Sequence, residues 1–203
     1  MKQSLFQTDD ANTPLTPEEA LDLIPSITLR TQLNELERFN IAQARAWAMR
    51  EAKHGRVVIA SDFFARDLHR RMFSSVWKWA GKYRTTPRNI GWDAHRITEG
   101  MRNLMEDFKA WVQFGTYPAH EAVVHLHHRM VVIHPWPNGN GRHSRLMADV
   151  CLASYFKSAT PLTWGLDRGG DLVSTNSTRR QYIAALRAAD RNDIKPLLAF
   201  AES

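Results

Sequence analysis

The chain has 203 residues with a net charge of +6, and 43% of its residues are hydrophobic while 24% are charged. This length suits one globular domain, and the composition excludes a disordered or collagen-like chain. No apolar run approaches the roughly 18 residues of a membrane span, and the N-terminus lacks the basic-then-apolar order of a secretory signal. The single cysteine, Cys151, fits a reducing compartment, so we expect a cytoplasmic protein without a membrane partner.

Helical patterns dominate the chain from its N-terminal side onward. Residues 1–13 are polar and predict a flexible arm, and residues 14–203 predict a single domain. A Thr-Pro-Glu-Glu start at Thr16 predicts a short helix that ends near Ile24. A long helix then follows from about Thr28 to His54. Further helices are predicted from Ser61 and over 98–114, 118–133, 140–157, 176–190 and 193–202.

One segment breaks the helical pattern. Residues 84–91 read Arg-Thr-Thr-Pro-Arg-Asn-Ile-Gly, and their β-branched and turn-forming residues predict a small hairpin. The predicted fold class is therefore a mostly α domain with one small β-hairpin.

The chemistry concentrates in residues 134–145, which read His-Pro-Trp-Pro-Asn-Gly-Asn-Gly-Arg-His-Ser-Arg. The two prolines end one helix, and the Asn-Gly pairs form a tight turn before the next. Arg142 and Arg145 fall in the first turn of that next helix, where cations oppose the helix dipole at about 0.3–1 kcal/mol each. Glycine-flanked amides, a helix N-terminus and two arginines describe an anion site, and the donors suffice for a polyphosphate. His134 stands beside it and can take a proton near neutral pH.

This segment resembles the signature of Fic (Fido) domain proteins, His-Pro-Phe-x-(Asp/Glu)-Gly-Asn-Gly-Arg-x-x-Arg. The chain keeps seven of the nine specified residues; Trp136 replaces the Phe, and Asn138 replaces the acid. The segment that begins Trp79-Ala-Gly-Lys-Tyr-Arg resembles the approach to the family's target-binding flap, here 84–97. The C-terminal part, from Arg180 onward, is similar to a bacterial subgroup often labelled mobile mystery protein B.

The resemblance implies a protein adenylyltransferase, which moves AMP from ATP to a Ser, Thr or Tyr hydroxyl of a target protein. His134 would be the general base. Ile90 and Gly91 would bind an extended target segment on the flap. The remaining residues would bind the phosphates of ATP. The backbone amides of Gly139, Asn140 and Gly141 would cradle the phosphates, Arg142 would bind on the β-phosphate side, and Arg145 would bind the γ-phosphate. A toxin-like role is implied by the resemblance alone.

Asn138 departs from the family at the position whose acid binds Mg²⁺. Because an amide is a weaker Mg²⁺ ligand than a carboxylate, we expect weak metal binding or a metal held mainly by ATP. This departure keeps alternatives open. One is transfer of a different phosphate-containing group, as by a Fic-like phosphotransferase. Another is a catalytically weak nucleotide-binding module.

Many Fic proteins carry an inhibitory helix whose glutamate pairs with the second motif arginine, and here the candidate segment is 27–54. Thr31 and Glu35 match the family's spacing, although Leu36 departs from its final Gly or Asn. Helical phase instead places Glu37 beside the apolar face, and Glu35 away from it. We therefore expect Glu37 to meet Arg145, with Glu35 as the alternative. A basic DNA-binding module over 176–190 is the less favoured alternative, because that helix lacks base-reading side chains apart from Gln181.

Overall fold

A computed structural model of the chain describes residues 21–27, 30–157, 160–165 and 177–203. None of the described helices is long and apolar enough to cross a membrane. The predicted arm over 1–13 lies outside the described residues, as does the predicted helix start at Thr16. The predicted end of that helix near Ile24 is wrong, because residues 21–24 are not helical and Leu23 forms an isolated β-bridge with Trp77. The helices are α1 (Arg30–His54), α2 (Asp62–Phe73), α3 (Ile97–Phe114), α4 (Ala119–Ile133), α5 (Asn140–Cys151), α6 (Ser177–Ala189) and α7 (Lys195–Ala201).

The predicted mostly α class is confirmed, and local signals set several helix ends. Ser61 caps α2, where its side-chain oxygen accepts a hydrogen bond from the Phe64 amide at 3.1 Å. Gly115, with a left-handed φ of 61°, ends α3. The helix predicted over 140–157 changes character at its end, because a π-helical turn, Leu152–Phe156, follows α5. A short 3₁₀ turn, Ala94–Arg96, precedes α3.

The predicted hairpin over 84–91 is wrong, since no strand occurs in this segment. The backbone instead pairs with the loop after α4: the Arg84 amide donates to the Pro135 carbonyl at 2.9 Å, and the Trp92 amide donates to the Ile133 carbonyl at 3.2 Å. The Arg84 guanidinium occupies the carbonyls of Thr86 and Trp92. With these backbone groups already bonded, they are not free to form a ladder within the segment.

Helix α4 is the centre of the core. Most of its apolar side chains are buried, and it packs against α3, α5, α7 and the π-helical turn. Helix α1 lies across α2 and α5. The α1–α5 contact includes an ion pair between Arg45 and Asp149, 2.7 Å from Nη1 to Oδ2, and Asp149 also accepts from the Trp164 indole at 2.8 Å. The loop between α4 and α5 therefore lies where α1, α2 and the 84–92 segment converge.

Candidate active site

His134 is the first residue after α4, and its backbone turns the chain sharply. Its φ of 53° and ψ of 60° are left-handed, an uncommon conformation for a residue other than glycine. Its amide donates to the Met130 carbonyl at 3.1 Å, which closes the last helical turn. Only 5% of the residue is exposed. Strained backbone of this kind is concentrated at functional sites, so the geometry supports His134 as a site residue.

Two devices fix the turn between His134 and α5. The Asn140 side chain bridges the backbone of Trp136: its Oδ1 accepts from the Trp136 amide at 2.9 Å, and its Nδ2 donates to the Trp136 carbonyl at 2.8 Å. Gly139, the N-cap residue directly before α5, has a φ of 82°, and a Cβ there would lie 2.6 Å from Cζ of Phe73. The position therefore requires glycine. The role expected for Asn140 was that of its backbone amide alone, and this side-chain bridge adds a second one.

Trp136 anchors the same turn in the core. It is completely buried, and its ring stacks on His69 with 4.1 Å between centroids and packs against Tyr83 at 4.6 Å. His69 joins two segments: its Nδ1 accepts from the Gly81 amide at 3.0 Å, so its Nε2 carries the proton and donates to the Asn138 carbonyl at 3.2 Å.

Sequence reasoning missed His69 altogether. The available signal was its spacing on α2, four residues after Ala65 and four before Phe73, both of which are buried. That spacing predicts a buried side chain, yet it does not distinguish a packing residue from one that holds the active-site turn.

His134 is held in its neutral form at pH 7. Burial and the neighbouring Arg84 guanidinium lower its pKa to about 4, against a smaller opposing effect of a hydrogen bond with the backbone of Val131. A neutral imidazole can accept a proton, as a general base must.

The two motif arginines leave α5 toward different neighbours. Arg142 donates through Nη1 to the Glu37 carboxylate and through Nη2 to Oδ1 of Asn138 at 3.1 Å. The Arg145 guanidinium carbon lies 5.2 Å from the ring centroid of Tyr182 on α6. The two arginines are three residues apart on α5, yet their charged ends have different neighbours.

Glu37 contacts Arg142, and the expected contact with Arg145 is wrong. The Glu37 side chain is 3% exposed, and its second oxygen accepts from the Trp77 indole at 3.0 Å. Helix α1 crosses α5 near the first motif arginine, whereas Arg145 faces α6, which is why the pairing differs. The predicted difference in burial is confirmed, since Glu35 is exposed.

The residues here do not form a Mg²⁺ site. Asn138 offers one side-chain oxygen, which accepts from the Gly139 amide at 2.7 Å as well as from the cationic Arg142. An oxygen that already accepts from two N–H groups, one of them a guanidinium, is a poor ligand for a divalent cation. Within the described ranges, no group of three or more His, Cys, Asp or Glu residues could hold a metal ion.

The expected flap residues lie next to His134 even though the hairpin is absent. Gly91 has a φ of 92°, and a Cβ there would lie 2.5 Å from Cβ of His134. Ile90 is 48% exposed and stands at the surface beside it. The structure thus brings together His134, Gly91 and the turn that opens α5.

Residues 62–152 match the model of the Fic/DOC family. The Fic adenylyltransferase of Drosophila grimshawi is 27% identical over 139 residues, which cover 66% of this chain and 26% of that protein. The chain spans about a quarter of the length of the curated relatives it matches.

Solved structures share the fold. A Fic domain-containing signalling protein of Bacteroides thetaiotaomicron superposes with a TM-score of 0.63 at 17% identity, over 81% of this chain and 66% of that one. The effector BepC of Bartonella tribocorum, solved with bound AMPPNP, gives a TM-score of 0.61 at 16% identity, over 92% and 97% of the two chains. The chain therefore resembles a Fic domain in sequence over residues 62–152 and shares the fold of these Fic structures.

Proposed function

We propose that this protein transfers AMP from ATP to a hydroxyl side chain of a target protein. The observation that carries the proposal is the placement of a neutral His134 directly before the glycine-bounded turn that opens α5. The relatives named protein adenylyltransferases support it, as does the retained Gly-Asn-Gly-Arg-x-x-Arg. The likeness to the mobile mystery protein B subgroup stays a proposal that rests on the C-terminal sequence.

The proposed reaction places each group where its chemistry is needed. His134 takes the proton of a Ser, Thr or Tyr hydroxyl, whose oxygen attacks the α-phosphorus of ATP as pyrophosphate leaves. The amides of Gly139, Asn140 and Gly141, at the positive end of α5, bind the phosphates. Arg142 and Arg145 stabilise the charge that builds up on the leaving pyrophosphate.

The target segment would lie along residues 84–92. In that position, an extended peptide passes Ile90 and Gly91, and the absence of a side chain at Gly91 lets the segment that carries the peptide pack directly against His134. Recognition through backbone hydrogen bonds suits targets that share little sequence.

Labelled ATP tests the proposal directly. The purified protein and a cell lysate are incubated with α-labelled or γ-labelled ATP, and protein-bound label is counted. We expect label from the α form alone, and a loss of about 10²–10⁴ in rate for His134→Ala. His54→Ala, which replaces an exposed histidine at the end of α1, is the matched control and keeps the parent rate. A folded His134→Ala protein that labels at the parent rate would contradict the assignment of His134 as the general base.

The same experiment separates the alternatives. Transfer of label from γ-labelled ATP would identify a phosphotransferase. ATP binding with no labelling in any variant would identify a nucleotide-binding module. This is the second candidate, because the Asn138 side-chain oxygen already accepts two hydrogen bonds and is a poor metal ligand.

We also propose that Glu37 restrains the protein's own activity. The Glu37 carboxylate occupies the Arg142 guanidinium that the phosphates of ATP would use, and it does so from a buried position with a second donor in Trp77. ATP must therefore displace a preformed ion pair before Arg142 can serve it.

Autolabelling of two glycine variants tests this restraint. Glu37→Gly frees Arg142 and should raise labelling from α-labelled ATP by about tenfold or more, since each 1.4 kcal/mol of lost competition is tenfold in binding. Glu35→Gly makes the same change at an exposed position of the same helix and should do little. Activation by Glu35→Gly alone would assign the restraint to Glu35, and activation by neither would end the hypothesis.

A further inference from the structure

The 84–92 segment is attached to the active-site turn at both of its ends. The Arg84 amide bonds the Pro135 carbonyl, and the Trp92 amide bonds the Ile133 carbonyl, one residue on either side of His134. Between these bonds the segment approaches so closely that Gly91 leaves no space for a Cβ beside His134. Small movements of this segment therefore change the surroundings of the His134 side chain.

The Arg84 side chain holds this arrangement from inside. Its Nε donates to the His134 carbonyl at 2.7 Å, its Nη1 donates to the Thr86 carbonyl at 2.9 Å, and its Nη2 donates to the Trp92 carbonyl. The residue is only 3% exposed. A planar guanidinium presents its donors in a fixed fork, so three simultaneous bonds fix the relative positions of the three carbonyls.

Arg84 also differs from the arginine of an ordinary ion pair in the groups that accept its hydrogen bonds. Among the residues that the structure describes, its hydrogen-bond acceptors are backbone carbonyls. Burial of the cation lowers the pKa of Arg84, and its charge contributes to the low pKa of His134. Burying a guanidinium is costly even with the Asp93 carboxylate near enough to favour its charge, and a structural tie alone could use a neutral donor.

We propose that Arg84 is a positioning residue for transfer to the target hydroxyl. Its three bonds set the distance and register between the 84–92 backbone and His134, so that a peptide bound along the segment presents its hydroxyl to the imidazole. The proposal rests on the proposed function, because it assigns Arg84 a place in that reaction. Misplacement by about 1 Å can cost a hundredfold in rate, so a rigid tie has a direct kinetic value.

Two substitutions at Arg84 separate its geometry from its charge. Arg84→Lys keeps the charge but cannot make three bonds from a planar fork, and Arg84→Gln loses both. Lys82→Gln is the matched control, since it removes a charge from an exposed position two residues away. Gly91→Ala is a second, independent variant, which forces the segment away from His134 while Arg84 stays.

Four measurements are made on the full chain of each variant. They are labelling from saturating α-labelled ATP, ATP affinity by calorimetry, the pKa of His134 by NMR titration, and hydrogen exchange of the Trp92 amide. We expect labelling to fall at least tenfold in both Arg84 variants and in Gly91→Ala, with ATP affinity within about twofold of the parent. Exchange at Trp92 should quicken in both Arg84 variants. Only Arg84→Gln should raise the pKa of His134, because it removes a positive charge that opposes protonation.

The outcomes separate this proposal from the proposed function. Parent-rate labelling by Arg84→Lys, or an equal loss of ATP affinity and labelling, would overturn the positioning role while leaving the transferase intact. If no protein labels at all, the proposed function fails. The exchange of Trp92 and the titration of His134 then still decide whether Arg84 holds the segment. If Arg84→Gln does not fold, parent-rate labelling by Gly91→Ala would overturn the proposal.

Discussion

Among single residues, Glu37 and Arg142 form a largely buried ion pair. Glu37 is nearly inaccessible, and Arg142 is 21% exposed in its side chain. Removing one partner of a buried ion pair typically costs about 3–5 kcal/mol, because the other charge is left without compensation. Part of that cost is avoided here, since Trp77 still donates to Glu37 and Arg142 retains some contact with water.

Arg142→Ala should therefore destabilise the protein by about 3 kcal/mol, at the lower end of that range. The double variant Glu37→Gln with Arg142→Ala should be more stable than Arg142→Ala alone, because the unpaired carboxylate is then absent. Urea unfolding of the parent and the variants measures both effects. Arg70→Ala, which removes an arginine from an exposed ion pair with Asp67, is the control and should change stability by less than about 1 kcal/mol. Equal losses for Arg70→Ala and Arg142→Ala would contradict the assignment.

The burial of Glu37 could be predicted from the sequence, but its partner could not. Helical phase relative to Leu36 separates the packed position 37 from the exposed position 35, and this separation is confirmed. The phase of one helix says nothing about where a neighbouring helix crosses it. Whether Glu37 meets Arg142 or Arg145 depends on that crossing, which is set by long-range packing of α1 on α5.

At the level of secondary-structure elements, the sequence predicted helices well and the flap poorly. Periodic apolar residues, the Ser61 cap and the prolines after His134 are local signals, and the helices they predicted are present. The segment over 84–92 has turn residues that suit a hairpin, but its hydrogen bonds go to the loop after α4, far away in sequence. Local preferences cannot reveal such partners, and the same limit hid the roles of His69 and Arg84.

The turn between α4 and α5 depends on Trp136, where the family signature has a phenylalanine. Trp136→Phe would lose roughly 60 Å² of buried apolar surface, or about 1.5 kcal/mol. It would also remove the indole Nε1, a buried donor without a hydrogen-bond partner in the described part of the chain. An unsatisfied buried donor costs about 1–3 kcal/mol, so the two effects should nearly cancel.

We therefore expect Trp136→Phe to unfold within about 1 kcal/mol of the parent in urea, since the gain from removing the donor offsets the lost surface. Trp136→Ala leaves a cavity against His69 and Tyr83 and should cost about 3–5 kcal/mol. A loss for Trp136→Phe as large as that for Trp136→Ala would mean that the indole, rather than an aromatic ring, is required.

Across the whole molecule, four of the described histidines are buried: His69, His127, His134 and His143. Burial lowers the pKa of all four, to about 4 in His134 and His143 and well below the usual range in His69 and His127. Their hydrogen bonds tie together different parts of the fold. His69 links α2 to the active-site turn, His143 contacts the Ala65 carbonyl at 2.8 Å, and His127 contacts the Tyr182 hydroxyl at 3.1 Å. Protonating these histidines therefore affects contacts between several elements of the core.

The free energy of unfolding should fall as the pH drops from about 6.5 toward 4. In this range the unfolded chain binds protons at these histidines and the folded chain does not, so acid favours the unfolded state. Each such histidine contributes a slope of about 1.4 kcal/mol per pH unit. Asp149 opposes the trend, because burial raises its pKa and acid therefore protonates it more readily in the folded chain. It is one group against five, since burial also lowers the pKa of the half-buried His125. Urea unfolding at pH 7.5, 6.5, 5.5 and 4.5 measures the slope. His143→Gln can keep a hydrogen bond to Ala65 and should reduce the slope by one histidine's share, whereas a stability that is flat or rising between pH 6.5 and 5 would show that the buried histidines accept protons in the folded state.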